Sequence, residues 1–278
     1  MDIKKESEKF ISFFLKKIIN QKSITMKKIL TSILILSIAI VSAQQNSIFT
    51  MHFLRVEGDV QAFEKVQSMY MKKVAQQATD NGDIMFWAFL RRLNLDYDSD
   101  ENRINYLFVQ TNKDIKATLS DANNWWTNAP NVLSKEEQDM VTALQKSFTW
   151  KISHRHIFIN EVQIANSVGS HIQFNFARPD NLGGFISENK TLWNNYFKSN
   201  MSKMGMVNWG VGRKLEPLSA NWSTVVSWDM FDSLESLMNY RIGFSLPSNI
   251  ANKSKMSEYL PEGFRNQPIF EVVTHTQQ

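Results

Sequence analysis

The sequence predicts an α+β protein in which one β-α-β-β-α-β unit occurs twice. Three observations predict it: a seven-residue motif recurs at an offset of 122 residues, both halves show the same order of strand-like and helix-like segments, and a short stretch with Gly and Ser, residues 166–170, separates the halves. Solenoid repeats have periods of only ~20–50 residues. We therefore expect two domain-sized copies.

The recurring motif reads WAFLRRL from Trp87 and WGVGRKL from Trp209. Its Trp, Arg and Leu are identical, and the other positions are mostly similar in size or charge. Phe63 and Phe185 stand at the same offset, so the match extends beyond one segment.

Each copy begins with a strand of alternating character and continues into a helix with apolar residues at helical spacing. In the first copy the pattern predicts strands over 50–57, around Trp87, over 103–111 and over 150–163, with helices over 59–79 and 113–126. In the second it predicts strands over 171–178, around Trp209, over 222–230 and over 268–276, with helices over 180–204 and 232–240. The first copy has one more helix, which begins at a capping box of Ser134 and Glu137.

This order is the split βαβ unit, so each copy is predicted to be a ferredoxin-like repeat. Two such repeats are expected to pair into a pseudo-symmetric α/β barrel. The predicted organisation is a leader over residues 1–43, a first repeat over 44–165 and a second repeat over 166–278.

The element order, the copy length and the mostly apolar strands resemble the dimeric α/β-barrel superfamily in its tandem-duplicated form. Antibiotic-biosynthesis-type monooxygenases, chlorite dismutase-like haem proteins and small stress-response proteins share that fold. The resemblance covers nearly all of residues 48–276 and rests on pattern and topology, with no motif of functional residues to transfer. It places no proximal haem His, and we expect no cofactor.

The leader has the three parts of a secretory signal peptide. Lys27 and Lys28 form its basic region, residues 29–41 its apolar stretch, and Val41 to Ala43 a small-residue cleavage site. The apolar stretch is shorter than the ~20 residues that a membrane-spanning helix needs. We expect translation to begin at Met26, cleavage after Ala43, and a periplasmic or secreted protein without a membrane anchor.

Charge and cysteine content exclude several classes of partner and site. The whole chain has a net charge of +4, but eight of its 31 basic and three of its 27 acidic residues lie in the leader, which leaves the mature chain at −1. No basic surface for nucleic acid is therefore expected. With no Cys in the chain, a disulfide framework, a thiolate metal site and a Cys nucleophile are excluded.

Alternation along two strands of the second copy predicts a polar pocket in the barrel. His171, Gln173 and Asn175 alternate with apolar residues, and Asn208, Gly210 and Gly212 alternate with Val207, Trp209 and Val211. Period two puts the two sets on opposite faces of a sheet. We expect the polar set and the space at the two glycines to face the lumen, with Phe174, Phe176 and Trp209 under helices. A solvated sheet face is the alternative reading.

Two further pairs of residues are candidates for a site. His154 and His156 share a strand face and suit a metal or a ligand, but no third metal ligand is evident, so no metal is expected. A polar strand face with hydrogen-bonded histidines is the alternative reading. Arg91 and Arg213 recur four residues after their Trp partners and suit either a structural role, as a cation–π contact or an ion pair, or an anion site.

No nucleotide-binding loop, nucleophile elbow or zinc-protease helix appears. The prediction is a small-molecule-binding protein, either cofactor-free and oxygenase-like with a cleft in the second repeat, or a catalytically silent binding or stress-response module with a packed lumen. Whether it is an enzyme stays open at this point. We expect a small-molecule ligand as partner, no nucleic acid, and a monomer or a homodimer.

Overall fold

The computed structural model describes residues 47–95 and 103–277. The predicted leader and the first-copy turn over 96–102 lie outside the described residues.

The first repeat contains four strands and a layer of helices. The strands are β1 (Ile48–Gly58), β2 (Phe86–Arg92), β3 (Tyr106–Asn112) and β4 (Phe148–Ala165). The long helix α1 consists of Val60–Lys65, a π-helical segment Val66–Met71, and Lys72–Asp80. Four short elements follow β3: α2 (Ile115–Thr118), a 3-10 segment (Asp121–Asn128), α3 (Ala129–Val132) and α4 (Lys135–Gln145). The capping box predicted at the start of α4 is present.

The second repeat has the same plan. Its strands are β5 (His171–Ala177), β6 (Met206–Glu216), β7 (Val225–Phe231) and β8 (Ile269–His275). The long helix α5 consists of Leu182–Glu188, a π-helical segment Asn189–Trp193, Asn194–Asn200 and a 3-10 turn Met201–Met204. The shorter helices are α6 (Leu234–Gly243), α7 (Ser248–Ala251) and α8 (Met256–Tyr259).

The eight strands form one closed antiparallel barrel in the order β1-β3-β2-β8-β5-β7-β6-β4. Within each repeat the fourth strand lies beside the first, then the third, then the second. The two repeats are joined where β2 pairs with β8 and where β4 pairs with β6. The predicted fold class, two ferredoxin-like repeats in a pseudo-symmetric α/β barrel, is confirmed. The division at residues 165 and 166 stays a prediction.

The recurring motif occupies equivalent strands. Trp87 lies in β2 and Trp209 in β6, and both are buried under the helices of their own repeat. The two long helices also share an irregularity, because each changes to π-helical pairing shortly after the matched Phe63 or Phe185. A shared local distortion is further evidence of one unit used twice.

Three apolar clusters make up the core. One fills the lumen and includes Phe49, Phe158, Phe174 and Trp228. The other two lie between the outer face of the barrel and the helices of each repeat. No helix in the described ranges is both long enough and apolar enough to cross a membrane.

The prediction of which side chains point into the barrel lumen is correct for β6 and wrong for β5. On β6, Trp209 packs under helices, while Asn208 and the glycines face the lumen. On β5, Phe174 and Phe176 pack in the lumen, and Gln173 and Asn175 face the helices, with His171 on the same outer side. The lumen takes the phenylalanines because it is the closed apolar space.

The polar side chains of β5 tolerate the helix side because they hydrogen-bond there to partners from three other elements. The prediction assumed that burial against helices would leave them unpaired, which costs about 1–3 kcal/mol for each group. That penalty does not arise when every group has a partner.

Candidate functional site

A cavity of about 310 Å³ lies in the second repeat, between the outer face of the barrel and its helices. Its walls are aromatic and its floor on the sheet is polar. The wall residues include Phe185, Trp193, Phe197, Trp209, Tyr240 and Phe244. The floor consists of Asn175, Ser227 and Asp229. This combination of an apolar enclosure and a few convergent polar groups is typical of a small-molecule site.

The polar floor is organised around the carboxylate of Asp229, in the middle of β7. Asn175 Nδ2 donates to Asp229 Oδ2 at 2.8 Å, and Gln173 Nε2 donates to the same oxygen at 3.3 Å. Among the described residues no donor is bonded to Oδ1. Because Asp229 lines the cavity, Oδ1 is the oxygen available to a ligand.

Asn175 and Gln173 are held in turn by neighbours. Gln267 Nε2 donates to Asn175 Oδ1 at 2.8 Å, and Arg241 Nε donates to Gln173 Oε1. Both amides therefore have fixed orientations, and their NH₂ groups point at the carboxylate. The cluster of β5 polar residues is a support for Asp229.

Burial raises the pKa of Asp229 to about 6, against the opposing effects of the Asn175 hydrogen bond and the Arg241 charge. The same burial, together with the Asp229 charge, raises the pKa of Tyr240. A carboxylate with a pKa near 6 is ionised at neutral pH and accepts a proton far more readily than an ordinary aspartate. The site can thus act as a general base in a dry, aromatic cavity.

The equivalent place in the first repeat is filled. Strand register makes Gln110 the counterpart of Asp229. Gln110 pairs with Trp87 in the first repeat, and Asp229 pairs with the equivalent Trp209 in the second. Gln110 is neutral, and its Oε1 accepts a hydrogen bond of 2.9 Å from Trp125 Nε1. Trp125 is buried and lies 6.0 Å from the Trp87 ring. The two repeats have diverged into one packed layer and one open layer.

The lumen has little free volume at the two glycines. A Cβ at Gly210 would lie 2.2 Å from the Trp228 ring, and one at Gly212 would lie 2.4 Å from the Phe49 ring. The space predicted for a ligand is therefore occupied by these two aromatic side chains. What remains is an apolar cavity of about 100 Å³ at the end of the lumen where β1 and β5 begin.

Asn208 lies at this small cavity and is hydrogen-bonded within the protein. Its Oδ1 accepts from Trp228 Nε1 at 3.0 Å and from Gln163 Nε2 at 3.3 Å. Asn208 thus fixes the ring that fills the glycine positions, and it lies apart from Gln173 and Asn175, with which it was predicted to form one pocket. The hydrogen bond of His171 is to a third place, since its Nδ1 lies 2.8 Å from Ser170 Oγ.

His154 and His156 line a second opening, at the opposite end of the barrel, together with Lys214. Burial, with the charges of Lys214 and His154, lowers the pKa of His156 to about 4, so its imidazole is neutral at pH 7. Within the described ranges no group of three His, Asp or Glu side chains could hold a metal ion.

Arg91 and Arg213 are both engaged by carboxylates. Arg91 contacts Glu64 at 3.1 Å and Glu271 at 2.6 Å, and Arg213 contacts Glu161 at 2.7 Å. Of the two predicted roles, these ion pairs favour the structural one.

The sequence reasoning missed Asp229, Arg241, Tyr240 and Lys214. One signal was available for Asp229, which is a carboxylate in the middle of a strand that otherwise reads VVSWDMF. All seven residues of that strand are buried, and a buried acid is rare unless it is paired or functional.

No family model matches this chain, and no curated protein matches it either. Similar solved structures include a proposed monooxygenase of Lactobacillus acidophilus (TM-score 0.49, 8% identity, 84% of this chain and 97% of that chain). A proposed monooxygenase of Fusobacterium nucleatum (0.48, 8%, 84% and 95%) and a mutant chlorite dismutase of Candidatus Nitrospira defluvii (0.46, 7%, 86% and 94%) are also similar. With TM-scores below 0.5 these neighbours carry no functional argument.

The strand order itself defines the class. A closed barrel of two ferredoxin-like repeats, each joined to the other through its second and fourth strands, is the tandem-duplicated α/β-barrel fold that the sequence resembles. Haem, which part of that superfamily binds, is poorly suited to the second-repeat cavity, because no His or Cys lines it and burial raises the pKa of Tyr240, which disfavours the phenolate that would ligate iron.

Proposed function

We propose that the protein binds a small planar aromatic molecule in the second-repeat cavity and oxidises it without a cofactor. The single observation that carries the proposal is the buried Asp229 carboxylate at the floor of an aromatic cavity. Trp193, Trp209 and Tyr240 offer flat apolar surfaces to a ring system. Asp229 Oδ1 offers one acceptor for an acidic proton.

The chemistry that suits this site is proton abstraction from a carbon acid followed by reaction with O₂. Asp229 takes a proton from an activated CH₂ group, and the resulting enolate is oxidised by O₂ with formation of a C–O bond. The peroxide anion formed takes the proton back from Asp229, and the resulting hydroperoxide loses water, which converts CH₂ and O₂ into C=O and H₂O. No external reductant is required.

Desolvation strengthens each part of this scheme. In the apolar cavity the carboxylate is a stronger base than in water, and a planar enolate is shielded from reprotonation by solvent. General base catalysis of this kind contributes typically 10²–10⁴-fold to a rate. The supporting amides of Gln173 and Asn175 hold the carboxylate in place during the transfer.

Anthrone, a three-ring ketone with an acidic CH₂ group, is a suitable probe. Its binding is measured by quenching of tryptophan fluorescence and its oxidation by oxygen uptake. Asp229→Asn keeps the size and the acceptor oxygen of the side chain, so we expect binding within about threefold of wild type and a rate at least ~10²-fold lower. The matched control is Asp232→Asn, an exposed acid just after the end of β7.

Three outcomes separate the hypotheses. Loss of turnover in Asp229→Asn but not in Asp232→Asn supports the oxygenase-like function. Binding without oxygen uptake by the wild type refutes it and supports the alternative, a binding or stress-response module. Absence of binding refutes both readings of this cavity for planar aromatic ligands.

We also propose that the chain is exported. The support is the order of basic, apolar and small-residue segments over residues 26–43. Export would place the cavity in the periplasm or outside the cell.

A further inference from the structure

The opening at the other end of the barrel contains a buried lysine. Lys214 lies on the lumen side near the end of β6 and is only 6% exposed. Its Nζ stands 5.6 Å from the centroid of the Phe158 ring and 5.4 Å from that of Trp222. The opening has a volume of about 450 Å³ and lies across the sheet from the Asp229 cavity.

The surroundings of Lys214 are cationic or neutral. Arg265, His154 and His156 line the same opening, and no Asp or Glu of the described residues does. Within the described part of the chain no carboxylate lies in ion-pair distance of Lys214, whereas Arg265 contacts Glu262 at 3.1 Å. Lys214 is thus the buried cation here that lacks a counter-charge.

An unpaired buried ammonium is costly, and its pKa reflects this. Burial lowers the pKa of Lys214 to about 8, which still leaves it mostly protonated at pH 7. The two aromatic faces compensate part of the lost hydration through cation–π contacts. A bound anion would supply the missing counter-charge, so the protein has a built binding group at this place.

The walls of the opening are aromatic. His156 stacks on Trp222 with centroids 5.1 Å apart and planes 27° apart, and Phe53 meets the edge of His156 at 5.1 Å. Phe176 completes this side at 6.0 Å from Phe53. A flat ring can lie against these surfaces while a charged group reaches Lys214.

We propose that the barrel mouth is a second ligand site, which binds an aromatic monocarboxylate with its carboxylate on Lys214 and its ring against Trp222 and Phe53. A monoanion is favoured over a phosphate dianion, because one buried ammonium balances a single charge and Arg265 is already paired. A second negative charge on the ligand would have no buried counter-charge of its own at this place.

The test uses 2-naphthoate and its neutral analogue 2-naphthamide, titrated into the wild-type protein by calorimetry at pH 7. We expect 2-naphthoate to bind at least tenfold more tightly than the amide. In Lys214→Met the ratio of the two affinities should fall to about one, because the substitution removes the positive charge that favours the acid. Lys198→Met, an equal charge change on the exposed side of α5, should leave the preference unchanged.

Two further measurements locate the site. Asp229→Asn should leave 2-naphthoate binding unchanged, whereas a carboxylate bound in the Asp229 cavity would bind more tightly once the charge of Asp229 is removed. In the wild-type protein, 2-naphthoate should slow the acetylation of Lys214 by acetic anhydride severalfold, as read by peptide mass mapping, and this measurement does not depend on the folding of any variant. The proposal is overturned if the wild type shows no preference for the acid, if Lys214→Met keeps the preference, or if Lys214 is not protected.

Discussion

Replacing Asp229 by Asn should make the protein more stable at neutral and alkaline pH. Asn has nearly the shape of a protonated aspartic acid, and its oxygen can still accept from Asn175 and Gln173. The pKa of Asp229 is raised from 3.8 to about 6 in the folded protein, mainly by burial. Ionisation of this group therefore costs folding free energy, and the Asn variant avoids the cost.

The sign and size follow from proton linkage. Between pH 3.8 and about 6 the folded wild type binds more protons at Asp229 than the unfolded chain does, so its stability falls as pH rises through this window. Two pKa units at 1.36 kcal/mol each give a penalty of about 3 kcal/mol above pH 6. At pH 4 most of this penalty is absent.

Urea unfolding of the wild type and of Asp229→Asn at pH 4 and pH 8 measures the effect. The advantage of the variant should grow by about 2 kcal/mol between the two pH values. His52 and His156, whose pKa values are lowered mainly by burial, destabilise both proteins equally at low pH and cancel in the comparison. Asp232→Asn serves as the exposed control.

An advantage that does not change with pH would refute this reasoning, and so would a variant less stable than wild type at pH 8. In that case the attraction of Arg241 for the carboxylate outweighs the burial of Asp229. If the prediction holds and oxidation of anthrone is lost together with the gain in stability, Asp229 is kept for function at a cost in stability.

Two other predictions test the lumen and the leader. Gly210→Leu should lower the free energy of unfolding by about 1–3 kcal/mol or more, measured by urea unfolding, because its Cβ would overlap the Trp228 ring; a variant as stable as wild type would reveal spare lumen volume. The intact mass of protein secreted from a bacterial host should correspond to a chain that starts at Gln44, and a mass that retains residues 29–41 would contradict the predicted cleavage.

The fold was predictable because its signals are redundant. The motif at Trp87 and Trp209, the two long amphipathic helices and the order of strands all indicate the same duplicated unit. Each signal depends on local periodicity, which a single sequence displays directly. Their agreement predicted the duplicated unit, and the resemblance to the dimeric α/β-barrel superfamily predicted its closure into a barrel.

The site was only partly predictable. The expectation of open lumen space at Gly210 and Gly212 was wrong, because the Trp228 and Phe49 rings fill it. The cavity of the second repeat lies instead on the outer face of the sheet, at Asp229. The predicted surface was wrong for β5, because alternation separates two faces of a strand but does not say which face is interior. In a barrel covered by helices both faces are buried, so polar residues are no guide to the lumen unless their partners are known.

The sequence does not show which distant residues hydrogen-bond to one another, and the site depends on those pairs. Gln173 and Asn175 come from β5, Asp229 from β7, Arg241 from α6, and Gln267 from the segment before β8. Residues so far apart in sequence meet only after the strands have paired. Lys214 was missed for the same reason, since its burial depends on Phe158 and Trp222.

The reverse exchange in the first repeat should have the opposite effect. Gln110 is buried, its Nε2 donates to Asn112 Oδ1 at 2.9 Å and to Asn123 Oδ1, and its Oε1 accepts from Trp125. In Gln110→Glu the carboxylate keeps the bond from Trp125 but sets a charged oxygen against two amide oxygens.

An uncompensated buried charge of this kind typically costs 3–5 kcal/mol, although rotation of the Asn112 amide can reduce the loss. We expect Gln110→Glu to lose about 3 kcal/mol at pH 8. At pH 4 most of the loss should disappear, because a protonated Glu can donate to Asn112 and its pKa in this environment lies above the usual ~4.3. Urea unfolding at the two pH values measures this, and a loss independent of pH would contradict it.

The variant should gain no anthrone oxidation, because Trp125 fills the space that is open above Asp229. A base alone then does not make the site, because the two repeats differ as much in the aromatic side chain that fills the first as in the carboxylate of the second.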